Sequence, residues 1–395
     1  MGRRIRVAAR PRHCDDTTLS VLSFTCSECG RGHDLLAWRC ESCGGLLDLE
    51  GFVASMPDGA TLRKRAATMW RFAEALPVPH PGALSMGEGM TPLVVAPGRS
   101  AAFKVDYLMP TGSFKDRGTV VLIAAALQAG ARRVVADSSG NAGTAIAAYA
   151  ARARIGCEVY VPAATSSAKL SQLAAYGATV REVAGSREQT AAAAAEAASD
   201  PGVFYASHVY NPFFFHGTKT YVLELWEQCG GRLPATLVLP VGNGTLLLGV
   251  YLGCRELLAQ DLIDRMPRLV AVQASACAPL ARAWADGSAH PAEVAGLDTI
   301  AEGVAIARPV RGAQILAAIA ATQGTVVSVS DEQILGAYRD LAAAGLYVEP
   351  TSAVCWAALL AGLVDLEPDS AHERVVLPLC GSGLKTKPYF DGAVS

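Results

Sequence analysis

The sequence predicts an α/β protein with two parallel-sheet subdomains, preceded by a small cysteine-marked module. Three observations predict it. Short apolar runs alternate with helical stretches of ten or more residues from about residue 102 onward. Polar, glycine-rich segments stand directly behind several of those runs, where open parallel sheets hold ligands. Four cysteines form two C-x2-C pairs near the N-terminus.

Bulk properties bound the answer. A chain of 395 residues exceeds one simple core and implies two or three units. With 51% hydrophobic and 18% charged residues it suits a well-buried globular protein rather than a disordered one. A net charge of −2 gives no bulk case for nucleic-acid or acidic-membrane binding. Arg3, Arg4, Arg6, Arg10 and Arg12 form the one basic cluster, read as a frayed tail because no apolar targeting region follows. The longest uncharged run, 234–253, is broken by Pro240, Gly242, Asn243 and Gly244, so it reads as strand, loop and helix start rather than a membrane span. A cytoplasmic protein is expected. The 11 cysteines are an odd count and mostly scattered, which is no disulfide framework.

In chain order, residues 20–52 carry Cys26, Cys29, Cys40 and Cys43. Each pair can aim two thiolates at one ion, and two pairs complete a tetrahedron. Gly30 and Gly44 suit the tight knuckle turns. The spacing points to a zinc-ribbon-like module with a closed, structural zinc site, and the plainer alternative is the same turns without an ion. The module lacks the basic, aromatic face of a nucleic-acid binder, and His33 reads as a loop residue. Residues 53–101 form a lead-in: a charged helix (TLRKRAATMWRFAEAL), then a Pro/Gly-rich extended linker (LPVPHPGALSMGEGMTPLVV). Strand–helix pairs follow: RRVVADSS with GTAIAAYAARAR, CEVYVP with SSAKLSQLAAYG, and TVREVAG with REQTAAAAAEAASD. ATLVLPV, RLVAVQA and TVVSVS are later strands, DEQILGAYRDLAAAG is a helix with Asp331 as its N-cap, and ERVVLPLC is the last strand.

Three segments carry chemistry. PTGSFKDRG places Lys115 at a helix start, ahead of the apolar run TVVLIAAALQAGA. Burial there lowers a lysine's pKa and frees its amine. SSGNAG, Ser138 to Gly143, follows a strand and starts a helix. Ser and Asn serve as ordinary N-caps on the plainer reading; on the functional one, the helix N-terminus receives a substrate carboxylate and Asn141 donates to a ring oxygen. PVGNGTLLLG can turn the amides of Gly242, Asn243, Gly244, Thr245 and Leu246 toward one anion such as a phosphate, though a plain turn reads the same way. It lacks the ending of a P-loop. A lysine, a phosphate cradle and an Asn loop are the parts that pyridoxal phosphate needs.

Read together and in order, EGMTPL, PTGSFKDRG, SSGNAGTAIAAYAAR, KLSQLAAYGATV, LPVGNGT, SDEQILGAYRDLAAAGLYVEPTSA and CGSGLK resemble the threonine synthase branch of the fold-type-II pyridoxal-phosphate enzymes, the tryptophan synthase β-like fold. The resemblance covers nearly the whole chain after residue 20. It implies a larger cofactor-binding domain from 102–124 and 212–395, a smaller α/β subdomain at 125–211, and a homodimer. It also implies Lys115 as the Schiff-base lysine and α-proton shuttle, and Asn141 at the phenolic oxygen. Gly242 to Leu246 would form the phosphate loop, with Cys380, where the branch usually has Thr, or Ser382 two residues on at the pyridine nitrogen. Ser138, Ser139, Gly140, Asn141 and Ala142 would receive a small amino-acid substrate. Glu349 would support the ring from behind, while Lys104, Asp106, Asp116 and Arg117 would position the lysine helix. The implied reaction converts O-phosphohomoserine to threonine and phosphate through an aldimine, with elimination and water addition.

Departures from the branch concern the substrate. Its N-P-x-R-x-E-G-Q-K-T-like block reads NPFFFHGTKT here, with Phe214 at the Arg position and His216 at the Glu position. Phenylalanine cannot make the bidentate pair with phosphate that arginine makes. Ser139 and Ala142 also stand where Thr is usual, and Lys219, Lys169 or His216 are the candidate replacements. The alternatives are β-replacement or β-elimination on a phosphoserine- or serine-like amino acid, as in cysteate synthase or a dehydratase, and a non-catalytic binding protein on the same fold.

Overall fold

The computed structural model describes residues 22–165, 167–364, 375–386 and 389. The N-terminal arginine cluster and the Lys169 side chain lie outside these. The strands are β1 (Ser23–Cys26), β2 (Gly32–His33), β3 (Leu47–Glu50), β4 (Leu93–Val95), β5 (Ala101–Lys104), β6 (Arg133–Ala136), β7 (Gly156–Pro162), β8 (Thr179–Val183), β9 (Val203–Tyr205), β10 (Thr236–Pro240), β11 (Arg268–Ala274), β12 (Thr325–Val329) and β13 (Val375–Pro378). They form an antiparallel ribbon of order β2-β1-β3, a four-stranded sheet of order β8-β7-β6-β9, and a six-stranded sheet of order β12-β11-β10-β13-β5-β4. Strand β10 is buried throughout, as expected of an apolar run covered on both faces of a parallel sheet.

Both larger sheets reverse their strand order at one place. From β6 the chain runs outward to β7 and β8, and β9 returns to the other side of β6. From β10 it runs outward to β11 and β12, and β13 returns beside β10. Ligands in open parallel sheets sit at such switch points, beyond the carboxyl ends of the strands. The loops there are 137–140 after β6, 206–211 after β9, 241–244 after β10 and 379–382 after β13.

The structure corrects several sequence expectations. Strand β4 lies inside the expected linker and pairs antiparallel with β5, so the six-stranded sheet has one antiparallel edge. Strand β9 does not stand out in the sequence because three residues are too short to show a period, and β5, Ala-Ala-Phe-Lys, has one large apolar residue and no β-branched one. The charged helix expected at 61–76 is instead a helix Gly59–Lys64 and a 3-10 turn Met69–Ala75. Between them Thr68 is extended, and the Met69 N–H donates to the Glu88 carbonyl at 2.8 Å. Ser330, not Asp331, caps the helix Asp331–Ala343: its Oγ accepts the Gln333 N–H and its own N–H donates to Gln333, a capping box. Asp331 turns instead to Thr299 and the Ile300 N–H.

Two close contacts set the geometry around the lysine. The helix Lys115–Gln128 packs on the helix Pro212–Thr218 through glycines. A Cβ on Gly217 would overlap the Arg117 carbonyl, and one on Gly118 would lie 2.6 Å from the Phe214 ring. The ribbon rests on the same region. Phe24 packs at a tilt against Phe213 at 5.7 Å, and Trp38 meets Tyr205 and Tyr210 edge-on at 5.1 and 5.2 Å. Among the described residues no helix is long and apolar enough to cross a membrane.

Candidate active site

Lys115 is the first residue of its helix, and its turn is held from both sides. The Phe114 N–H donates to the Cys380 carbonyl at 2.9 Å, the Ser382 N–H donates to the Gly112 carbonyl at 3.0 Å, and Ser113 bridges Gly381. Lys385 donates to the Thr111 carbonyl at 2.8 Å, while Asp116 accepts the Thr111 N–H at 2.7 Å and its hydroxyl. Behind the turn, Arg117 grips Asp106 and Glu224, each through two oxygens, and Lys104 adds bonds to Glu224, Gln228 and the Thr91 carbonyl. All four charges are fully buried. Burial opposes ionisation of Glu224, but Arg117 and Lys104 outweigh it and hold the carboxylate down at about 2. The four residues thus form a rigid, charge-balanced block that fixes the lysine helix.

The Lys115 amine has different company. Its Nζ donates to Thr245 Oγ1 at 3.3 Å and lies 4.4 Å from the Phe114 ring centre and 5.7 Å from that of Phe214. Among the described residues no carboxylate forms an ion pair with it. Burial pushes its pKa down to about 8, and Glu349 only partly offsets this. A free amine is therefore accessible near neutral pH.

Two open helix N-termini face this region. Gly244, at φ 69°, precedes the helix Thr245–Ala259 and has no side chain to cap its first-turn amides. A Cβ on Gly242 would come within 2.8 Å of the Gly303 carbonyl, so the loop admits no side chain there. Gly140 precedes the helix Asn141–Ala153, again without a side-chain cap, and a Cβ on it would meet nothing within 4 Å. The ordinary N-cap reading of Ser and Asn in this loop is corrected. Asn141 is already helical, and its Nδ2 donates to both Glu349 oxygens at 3.1 and 2.9 Å. Ser138 and Ala142 are buried beside it and Ser139 is partly exposed. Burial raises the Glu349 pKa, and the Asn141 bonds work against that rise.

Cys380 is buried behind β13, and burial pushes its thiol well above the usual range, so it is a neutral donor. Ser382 Oγ accepts the Leu384 N–H at 3.3 Å and caps its own short turn. Phe214 is fully buried and meets the His208 ring edge-on at 5.7 Å. Two of the groups offered as replacements for a phosphate-binding arginine are already engaged. Lys219 Nζ donates to Glu256 at 2.7 Å and lies 3.0 Å from His216 Nδ1, and the His216 ring and the Lys219 charge both pack on Phe52. Sequence reasoning missed His208, whose imidazole is held neutral by burial and by the Lys115 charge. It follows β9, and recognising that short strand would have placed it at a switch point.

The arrangement offers one free amine, two uncapped helix ends that attract anions, a neutral thiol and an amide–carboxylate pair. Pyridoxal phosphate fits this set: an amine for its carbonyl, a helix end for its phosphate, and donors for its ring. Ser113 Oγ, buried beside the lysine without a hydrogen-bond partner among the described residues, is a further unused donor. At the ribbon, the sulfurs of Cys26, Cys29, Cys40 and Cys43 lie within 4.8 Å of one another, a spacing compatible with one tetrahedral ion.

Residues 84–381 match the family model described as pyridoxal-phosphate dependent enzyme. Among curated proteins, the chain is 32% identical over 372 residues to a threonine synthase of Methanosarcina acetivorans, covering 91% of both chains. It is 31% identical to one of Methanocaldococcus jannaschii, covering 91% of this chain and 92% of that one, and 36% identical to one of Mycobacterium leprae, covering 75% and 82%. Among solved structures, a T.th. threonine deaminase matches with a TM-score of 0.65 and 25% identity, covering 84% of this chain and all of that one. A tomato (Solanum lycopersicum) threonine deaminase matches with a TM-score of 0.64 at 19% identity, covering 85% and 87%.

Proposed function

The chain belongs to the pyridoxal-phosphate dependent enzyme family, and from that premise we propose its function in full. It is a pyridoxal-phosphate-dependent lyase of the threonine synthase type that converts O-phosphohomoserine to threonine and phosphate. The observation that carries the reading is a half-buried lysine of lowered pKa between two uncapped helix N-termini, at the switch points of both sheets.

When bound, the cofactor supplies an electron sink next to the substrate α-carbon. Lys115 in its neutral form accepts the substrate α-proton and later returns a proton. The Gly242–Leu246 turn would hold the cofactor phosphate on its amides, and Cys380, with Ser382 as the alternative, would serve the ring nitrogen. The Ser138–Ala142 loop would receive the substrate carboxylate, and Asn141, whose amide donates to Glu349, would turn one N–H to the cofactor oxygen. A neutral thiol leaves a ring nitrogen largely unprotonated, which favours elimination and replacement over transamination. We assign Cys26, Cys29, Cys40 and Cys43 one structural zinc ion. The larger domain comprises 102–124 and 212–395, the smaller 125–211, and the enzyme is a cytoplasmic homodimer.

One observation favours a second substrate. Phe214 gives a buried apolar wall 5.7 Å from Lys115, where the resemblance calls for an arginine. Such a wall suits a shorter, β-substituted amino acid such as phosphoserine or serine. The free amine of Lys115 argues against a non-catalytic binding protein. Phosphate release from O-phospho-L-homoserine by the cofactor-loaded protein tests the reading. Release with threonine formed supports it; cofactor-loaded protein that releases none, yet turns over O-phosphoserine or serine, replaces it with the second substrate.

A further inference from the structure

We propose that Arg311 is a positioning residue for the Lys115 site, tying the cysteine ribbon to the helix that carries Phe214. Arg311 is 2% exposed and sits at the start of the helix Gly312–Ala321. A guanidinium has five N–H donors, and each one of Arg311 is used. Nε donates to the Val209 carbonyl at 2.9 Å. One terminal nitrogen donates to Asp48 at 3.1 Å and Gln314 at 2.8 Å, the other to the Leu47 carbonyl at 2.9 Å and the Tyr210 carbonyl at 2.8 Å. Its charge also lies 4.7 Å from the Phe215 ring centre.

These partners come from three separate parts of the chain. Leu47 and Asp48 belong to ribbon strand β3. Val209 and Tyr210 directly precede Asn211, whose side chain caps the helix Pro212–Thr218 by accepting the Phe213 N–H at 3.0 Å. Gln314 is on the arginine's own helix. One side chain therefore locks the ribbon, the start of the phenylalanine helix and the six-stranded domain together. The phenylalanine helix has little freedom elsewhere, since Phe214 fills the space above Gly118 and borders Lys115. Slack introduced at Val209 and Tyr210 reaches the Lys115 amine through Phe214, by admitting water beside it. The ribbon thus serves as a brace for the active-site wall.

The test uses full-length Arg311→Met and Arg311→Lys proteins and two readouts, one at each end of the brace. The first is the pH midpoint of covalent pyridoxal-phosphate capture at Lys115. The second is the rate of deuterium labelling of the backbone amides of ribbon strands β1 and β3. Neither depends on which amino acid is the substrate, so the outcome is independent of the threonine synthase reading. Arg311→Met is expected to label about tenfold faster, and to move the capture midpoint up by about one pH unit as water returns to the amine. Arg311→Lys, with three donors and no planar fork, should fold and fall between wild type and Arg311→Met on both readouts. Faster labelling with an unchanged capture midpoint in both variants would overturn the proposal, because Arg311 would then hold the ribbon alone. Unchanged labelling would overturn it equally.

Discussion

Titrating the Lys115 amine is the most direct test of the site. An ordinary lysine titrates at 10.5, and burial brings this one to about 8. At pH 7 an amine of the lower value is neutral in about one molecule in ten, against about one in three thousand for the ordinary value, a ratio of about 300. The assay mixes cofactor-free protein with pyridoxal phosphate from pH 6 to 10, follows covalent capture by absorbance, and fixes the product with borohydride for peptide mapping. Capture should rise about tenfold per pH unit below about pH 8 and level off above it. Glu349→Gln removes the carboxylate that partly offsets burial, so it should lower the midpoint. A rate that climbs steadily to pH 10 would refute the reasoning. So would a label on Lys104, Lys219 or Lys385, or undiminished labelling of Lys115→Ala protein.

Other expectations follow from packing and charge. Gly217→Ala forces the lysine helix and the phenylalanine helix apart at backbone, so urea unfolding should show a loss of about 1–3 kcal/mol. Glu224→Gln leaves Arg117 and Lys104 with fewer partners in a dry site and should cost about 3–5 kcal/mol. The folded-state pKa of Glu224 is depressed, so its contribution is complete above the ordinary carboxylate range and is lost as pH falls toward about 2. Acid unfolding of Glu224→Gln should accordingly depend less on pH in that window than wild type. Elemental analysis should find one zinc per chain, lost in Cys40→Ser, and a thermal midpoint unaffected by chelation would remove the structural zinc from the account.

Much of the molecule is readable in one dimension because the relevant physics is local. Apolar runs such as TLVLP must be buried on both faces, and that property alone places β10 inside a parallel sheet. Two C-x2-C knuckles bring paired thiols together through turns of a few residues, with Gly30 and Gly44 at φ 71° and 70°. The loop behind β10 and the lysine at its helix start are likewise local signals. Strand β9 is too short to show a period, β5 has one large apolar residue and no β-branched one, and the pairing of β4 with β5 lay hidden in a stretch rich in Pro and Gly.

The sequence by itself nominated the groups proposed for the site: Lys115, the Gly242–Leu246 turn, Asn141 and Cys380. Tertiary structure alone decided what each of them touches. Asn141 reaches Glu349 across 208 residues of chain, and Arg117 reaches Glu224 across 107. Lys219 and His216 look in sequence like replacements for a phosphate-binding arginine, yet folding commits them to each other and to Glu256. The low pKa of Lys115 is also a tertiary property. It depends on Phe114, Phe214 and Thr245 converging from three segments to exclude water, and no local pattern encodes the dielectric around an amine.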